Sequence, residues 1–279
     1  MGETHNKSNI AFGATNEENV GFSKADAVVT YNFYNFTRDE IKVDLEEKKN
    51  APWKIAQAQT SLCGMAVVAY FYAKLKYDEY RQFVLDLHAY GTATSKAGYT
   101  LKTDPDKHLQ QLKKDETGGM SPDDFILLAS LRDQENGLFD YLPAQDRNTV
   151  SVNMEGLKGF SLPHEVAKLM KDLVGLDVID KTNLAFSVPT DNTVIEYIKT
   201  IQSALAKGHS IAMLINADIF EDSKPFFTTP NHWIGIIELQ VINTLVRITC
   251  FSWGRIRKYD IKIDLLIDGC FGYIIGKGR

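Results

Sequence analysis

The spacing of hydrophobic positions along the chain changes at Gly208. Before it, apolar residues recur at helical spacing, and after it they form short runs rich in Ile and Val, as in β-strands. The longest helical stretch runs from Leu62 to about Tyr90, with no breaker after Gly64 and a stop at Gly91. It predicts one long helix or two consecutive helices.

Three further helices are predicted from their start and stop signals. Ser121 as N-cap, Pro122 at the first helical position and two aspartates in the first turn announce a helix over "DDFILLASLRD". A helix over 162–174 opens in the same way, with Ser161 and Pro163. The segment 193–207 is amphipathic and ends at Gly208.

The second half of the chain predicts a sheet. Strand-like runs occupy 210–217, 232–239, 244–253, 259–266 and 271–277. A helical first part followed by an antiparallel sheet is an α+β fold. Nearer the start, 27–37 reads as a strand, the charged run 44–50 as a solvated turn and 91–120 as a loop-rich zone. Residues 1–24 are polar and predict a flexible arm or linker remnant, which leaves 25–279 as the domain.

Composition narrows the classes of function. The 279 residues are 44% hydrophobic and 24% charged, as in an ordinary globular protein. A net charge of −5 offers no basic face for a phosphate backbone, so no nucleic-acid partner is expected. The apolar runs 125–131 and 211–217 are shorter than the ~18 residues of a spanning helix, so no membrane role is expected. The polar N-terminus lacks the apolar core of a signal peptide.

The three cysteines form no CxxC pair, so a disulfide framework or a structural zinc site is not expected. No cofactor is expected either. Cys63 is the candidate nucleophile. With Thr60 or Ser61 as N-cap, it falls in the first turn of a helix, where backbone N–H groups and the helix dipole favour a thiolate and lower its pKa. Gly64 leaves room for a substrate backbone, and the Gln57 amide could face a developing oxyanion. The alternative is that Cys63 is a buried apolar residue packed with its neighbours.

His232 is the candidate base among the six histidines. It stands at the entry to a β-branched strand, in "TTPNHWIGIIE", where a rigid backbone would hold an imidazole. The other five lie in the polar arm, near helix ends or in polar loops. A structural histidine remains the alternative, and the pairing with Cys63 is what favours catalysis.

These residues together resemble the papain-like cysteine proteases. The order is Gln57, five residues, Cys63-Gly64 at a helix start, His232 at a strand start, then Ser252-Trp253-Gly254. The stretches "SLCGMA" and "NHWIGII" are closer to the bacteriocin-processing double-glycine peptidases, and the pattern "SLCG…LLASLRDQEN…LINA…PNHWIGI…SWG" resembles antibacterial effectors of type VI secretion systems. The resemblance covers about 57–275 in separated islands.

One position departs from the papain pattern. Where that family has Asn or Asp before Ser-Trp-Gly to orient the imidazole, this chain has Phe251. The period of two along 244–253 places Ser252 on the same side as Cys250, which makes it the nearest polar candidate to steady His232. A backbone carbonyl or Asp218 is the alternative. The resemblance further implies that Trp253 shields the histidine.

The resemblance implies a papain-like α+β domain whose nucleophile helix packs on the sheet, and a cysteine protease that acts on a protein substrate. Its partners would be a cognate immunity protein and a secretion-machine carrier. It would be secreted without a signal peptide and act in the cytoplasm of a rival bacterium. Three alternatives remain: a cell-wall amidase, deamidase or acyl transferase with the same thiol and imidazole; an inactive papain-like binding module; and an adaptor that binds a secretion partner through the helix 162–174.

Overall fold

A computed structural model describes residues 31–135, 141, 161–184, 191–222 and 229–279. The helices are α1 (Arg38–Asn50), α2 (Cys63–Leu75), α3 (Tyr77–Tyr90), α4 (Pro122–Glu135), α5 (Pro163–Asp172), α6 (Asp191–Ala206) and α7 (Ile263–Gly269). The strands are β1 (Thr92–Thr94), β2 (Thr100–Lys102), β3 (Asp177–Asp180), β4 (Ser210–Ile215), β5 (His232–Ile242), β6 (Leu245–Ser252), β7 (Arg255–Lys262) and β8 (Cys270–Lys277). The predicted α+β class is confirmed.

The main sheet has six strands in the order β3-β8-β4-β5-β6-β7, and every neighbouring pair is antiparallel. The strands β4 and β5 pair with Leu214 opposite Trp233 and Ile215 opposite His232. This register decides which side of the sheet each site residue occupies, because successive side chains of a strand point to opposite faces.

Each face of the main sheet carries its own hydrophobic core. The helices α1 to α5 pack on one face, together with Leu214, Trp233 and Phe251. The helices α6 and α7 pack on the other, together with Ile215, Ile234 and Cys250. The first is called here the α2 face and the second the α6 face. The predicted packing of the Cys63 helix on the sheet is confirmed: a methyl group at Gly235 of β5 would touch Tyr70 and Phe71 of α2 at 3.4 and 3.5 Å.

Of the two alternatives predicted for 62–90, two consecutive helices are found, with Lys76 between them and Gly91 in the left-handed conformation at the end of α3. The helix after Ser121 also begins at Pro122, as predicted. For 162–174 the helix is found but the predicted cap is wrong. The N-cap residue is Leu162, and Ser161 lies before it.

The predicted strand 27–37 and the predicted turn 44–50 are wrong where the structure describes them. Residues 31–36 form turns and bends, and residues 27–30 lie outside the described residues. Thr37 caps α1 through a reciprocal hydrogen bond with Glu40, and α1 includes the whole charged run 44–50. Lys48 of that run is buried, with its ammonium group 2.8 Å from the carboxylate of Asp124 in α4. Because Lys48 pairs with a carboxylate that is distant in the sequence, the charged run forms a partly buried helix face and not a solvated turn.

Three smaller predictions also change. The loop-rich zone 91–120 contains a hairpin formed by β1 and β2. The predicted strand 259–266 divides into the end of β7 and the start of α7. The short strand β3, which the sequence pattern does not reveal, pairs with β8 at the sheet edge.

Candidate active site

Cys63 is the first residue of α2, as the sequence predicts, but the predicted capping is wrong. The N-cap residue is Leu62, and it makes no side-chain cap. The Thr60 hydroxyl instead donates to the Gln57 carbonyl at 2.6 Å, which closes a tight turn before the helix. The first N–H groups of α2 are thus left without a side-chain acceptor at N-cap, and the Cys63 sulfur is the acceptor that lies beside them.

The Cys63 sulfur is surrounded by groups that favour negative charge. Burial is the largest influence, and it raises the pKa of Cys63 to about 11. Hydrogen bonds from the backbone N–H groups of Trp233, Gly64 and Cys63 itself, followed by the charge of Arg132, act against it and lower the pKa. The expected lowering by the helix N-terminus is therefore present but outweighed, because the side chain is only 3% exposed. The resting group is a thiol.

Gln57 is buried beside the same turn. Its side-chain amide donates to the Thr60 carbonyl at 2.7 Å. One N–H of the predicted oxyanion donor is therefore directed into the turn before α2. Its predicted role in catalysis stays a prediction.

His232 is in contact with the residue that the strand period selects for it. Its Nε2 lies 2.8 Å from the Ser252 hydroxyl, and both side chains are buried. The Nδ1 atom makes no hydrogen bond to any residue that the structure describes. Burial lowers the pKa of His232 to about 3, so the resting imidazole is neutral. Phe251 faces the other way and stacks on Tyr70, with ring centroids 4.4 Å apart.

Trp253 covers the imidazole. The two rings are parallel to within 9°, with centroids 4.0 Å apart. Trp253 and Gly254 both have positive φ, at 47° and 69°, and they join the paired residues Ser252 and Arg255. This is the backbone of a type I′ hairpin turn, which favours Asn-Gly and is unfavourable for a bulky side chain. The backbone at Trp253 is therefore strained, and this strained turn places the indole over the imidazole.

The structure brings the sulfur and the imidazole to the same end of β5, on strand residues that face opposite sides of the sheet. The sulfur accepts a hydrogen bond from the N–H of Trp233, the residue after His232. Trp233 faces α2, whereas His232 pairs with Ile215, a residue of the α6 face. Among the described residues no hydrogen bond joins Cys63 to His232. A catalytic pair would require the imidazole to turn or the strand end to shift.

Sequence reasoning missed the residues that close over the start of α2. The indole N–H of Trp233 donates to the Ser161 carbonyl at 2.8 Å. A methyl group at Gly64 would lie 2.4 Å from the Ser161 Cβ, so Ser161 packs against the backbone of the nucleophile helix. Behind it, Arg132 and Glu165 form a buried ion pair at 3.2 Å. The stretches "ASLRDQEN" and "SLPHE" are the signals that could have pointed to them.

Other features of the described residues lie away from Cys63. A groove of about 380 Å³ between α6 and β8 is lined in part by Lys199, Lys207 and Lys277, and includes neither Cys63 nor His232. Within the described ranges, no group of three or more His, Cys, Asp or Glu side chains is placed to hold a metal ion. No helix in these ranges combines the length and apolar character needed to cross a bilayer.

Compared with protein-family models and with curated proteins, the chain matches no family model and no curated sequence. The resemblance to papain-like proteases therefore remains a prediction from its motifs.

Proposed function

We propose that the chain is a thiol-dependent amide hydrolase of the papain-like type, most simply a cysteine peptidase. The main support for this proposal comes from the groups that surround Cys63. The backbone N–H groups of Trp233, Gly64 and Cys63 lie close enough to its sulfur to lower the pKa of the thiol, at the start of a helix that packs on the strand carrying His232. Such donors stabilise negative charge on sulfur or on a carbonyl oxygen bound beside it.

The remaining site residues support the same reaction. Ser252 holds the Nε2 atom of His232, and Trp253 covers the ring, which leaves Nδ1 as the nitrogen that can accept a proton. In the proposed reaction the Cys63 proton passes to this imidazole while the sulfur bonds to the amide carbon. The C–N bond then breaks, and the leaving amine takes the proton. Water hydrolyses the thioester and restores the thiol.

In the resting structure the Cys63 sulfur is closed off from solvent. At 3% exposure the sulfur cannot meet a substrate carbonyl. Substrate binding must therefore displace part of the cover over α2 and bring His232 towards the sulfur. Apo enzymes often hold catalytic groups apart in this way, and the groups come together only in the complex.

The setting follows from the resemblance of the motifs to type VI secretion effectors. In this setting the chain is a toxin carried by the secretion machine, cleaves a protein in the cytoplasm of a rival bacterium, and is neutralised in its producer by an immunity protein. A cell-wall amidase, a deamidase or an acyl transferase would use the same thiol and imidazole. Incubation with purified peptidoglycan and, separately, with a cell lysate distinguishes cell-wall from protein targets.

The decisive experiment is expression in bacterial cells of the wild type, Cys63→Ala and the matched control Cys250→Ala. Cys250 is equally buried but faces α6, so its loss should leave activity intact. We expect wild type and Cys250→Ala to stop growth and to produce shortened cellular proteins. Cys63→Ala should lose cleavage by about 10³-fold or more. Full toxicity of a folded Cys63→Ala variant would refute the proposal.

The closed site also favours a second candidate, a papain-like binding module without catalysis. The observations that favour it are the sealed sulfur and the missing hydrogen bond between Cys63 and His232 among the described residues. A binding module would keep its full effect in cells after Cys63→Ala. The same experiment therefore decides between the two.

A further inference from the structure

Ser161 is a buried hydroxyl whose oxygen hydrogen-bonds to no described residue. The residue is 0% exposed, so bulk solvent does not reach the hydroxyl. A buried donor without an acceptor is unfavourable, so a native protein that keeps one calls for a structural or chemical explanation. An acceptor for this hydroxyl has to lie close to Ser161.

Ser161 lies against Gly64 at the start of α2. Its Oγ lies 2.7 Å from the place that a Gly64 methyl group would occupy. The N–H of Gly64 is one of the donors to the Cys63 sulfur. The hydroxyl thus lies beside Gly64, the residue after Cys63, at the start of α2, and makes no hydrogen bond to the sulfur in the resting structure.

Two hydrogen bonds hold the backbone at Ser161 and Leu162. On one side the Trp233 indole N–H donates to its carbonyl at 2.8 Å, and the backbone N–H of Trp233 bonds to the sulfur. On the other side Glu165 accepts the N–H of Leu162 at 2.8 Å, while Arg132 pairs with the same carboxylate. These contacts fix the backbone that carries the Ser161 side chain, so that only the hydroxyl has to rotate to form a hydrogen bond.

We infer that Ser161 is a further positioning residue of the Cys63 site, whose hydroxyl donates a hydrogen bond to the negative charge that forms there. This inference rests on the proposed function, since only an anionic step gives the hydroxyl its partner. In the resting thiol state the hydroxyl has no hydrogen-bond partner among the described residues. When the thiolate or the oxyanion forms, it completes a set of donors that otherwise consists of backbone N–H groups.

The test measures the rate at which iodoacetamide alkylates each cysteine of the full-length protein, resolved by mass spectrometry between about pH 7 and about pH 9. Removal of a donor to an anion should lower the thiolate fraction, so Ser161→Ala should slow alkylation of Cys63 by about tenfold. A residue that only packs on Gly64 gives the opposite sign, because its truncation opens access to the sulfur. Faster or unchanged alkylation in Ser161→Ala overturns the inference.

Three controls make the result specific. Ser161→Thr keeps the hydroxyl and should stay near the wild-type rate, whereas Ser161→Val has the same shape without the donor and should be slow. Ser130→Ala removes another buried hydroxyl that has no partner among the described residues, and should leave Cys63 unchanged. All three cysteines are buried, so alkylation of Cys250 and Cys270 reports unfolding, and alkylation of Cys63 in excess of theirs reports local opening at the start of α2. If Ser161→Ala unfolds, the Thr and Val pair decides.

Failure of this inference and failure of the proposed function can be told apart, because alkylation needs no substrate. Cys63→Ala without effect in cells, together with slow alkylation in Ser161→Ala, would refute the hydrolase and leave the hydrogen bond established. The reverse result would refute the role of Ser161 alone.

Discussion

Cys63 and His232 are buried to the same extent, at 3% and 4% exposure, but their surroundings differ in kind. The sulfur faces backbone N–H groups and lies within the field of a buried arginine. The imidazole faces a hydroxyl and an indole ring, both neutral. The surroundings of the sulfur thus include groups that favour a negative charge, whereas the described neighbours of the imidazole carry no charge.

The comparison shows how burial and local donors compete. Around Cys63, burial outweighs the donors, and the pKa rises to about 11. Around His232, burial alone lowers the pKa to about 3. Both shifts act against a resting thiolate–imidazolium pair. A functional ion pair would thus need hydration or movement, and the sulfur side already holds the groups that would stabilise it.

The largest expected effect distinguishes the base from the residue that orients it. His232→Ala should reduce cleavage by about 10³-fold, because it removes the only proposed proton acceptor. Ser252→Ala should reduce it by about tenfold, because water can replace the hydroxyl in part. Initial rates on a protein that the wild type cleaves in lysate give both values. Equal losses in the two variants would contradict the assigned roles, and circular dichroism checks their folding.

The second prediction concerns stability and pH. In the unfolded chain His232 binds its proton near pH 6.5, and in the folded protein only near about 3. As the pH falls, the unfolded chain therefore takes up the proton first. Stability that is present above about 6.5 is lost as the pH falls towards about 3. At about pH 4.5 this loss amounts to about 2 to 3 kcal/mol in the free energy of unfolding.

Urea denaturation at about pH 7 and about pH 4.5 measures that loss. His232→Gln cannot be protonated, so its free energy of unfolding should fall less between the two conditions, by about 2 to 3 kcal/mol. His209→Gln is the control, since His209 is half-buried and lies outside the site. The same pH dependence in wild type and His232→Gln would show that the imidazole is hydrated or charged in the folded protein.

Local signals in the sequence predict much of this fold. Proline and the acidic first turn place the start of α4, and Gly91 and Gly208 place the ends of α3 and α6. The period of two along β6 places Ser252 on the face where His232 meets it. These features depend on neighbours in the chain, and the sequence shows neighbours directly.

The features that the sequence did not reveal depend on distant partners. The charged run 44–50 becomes a helix face because Lys48 meets Asp124 of α4. The pKa of Cys63 rises because the chain closes over it, and Ser161 is part of that cover. No spacing within either segment contains this information.

The smallest expected effect concerns Trp253, whose backbone is strained by its positive φ and whose indole covers the His232 ring. Trp253→Asn should relax the hairpin turn, since Asn-Gly suits two residues with positive φ. It also removes a stacked ring, worth about 0.5 to 1.5 kcal/mol. The two effects oppose each other, so we expect the free energy of unfolding to change by less than about 1 kcal/mol.

The pKa of His232 should respond more clearly than stability does. Without the indole, water reaches the ring, burial weakens, and the pKa rises from about 3 towards its usual range. An NMR titration of the His232 ring measures this shift, with Trp53→Asn as the control because Trp53 is exposed and outside the site. An unchanged titration would mean that the α6 face, and not Trp253, keeps the imidazole neutral. In that case opening the hairpin turn could not activate the base.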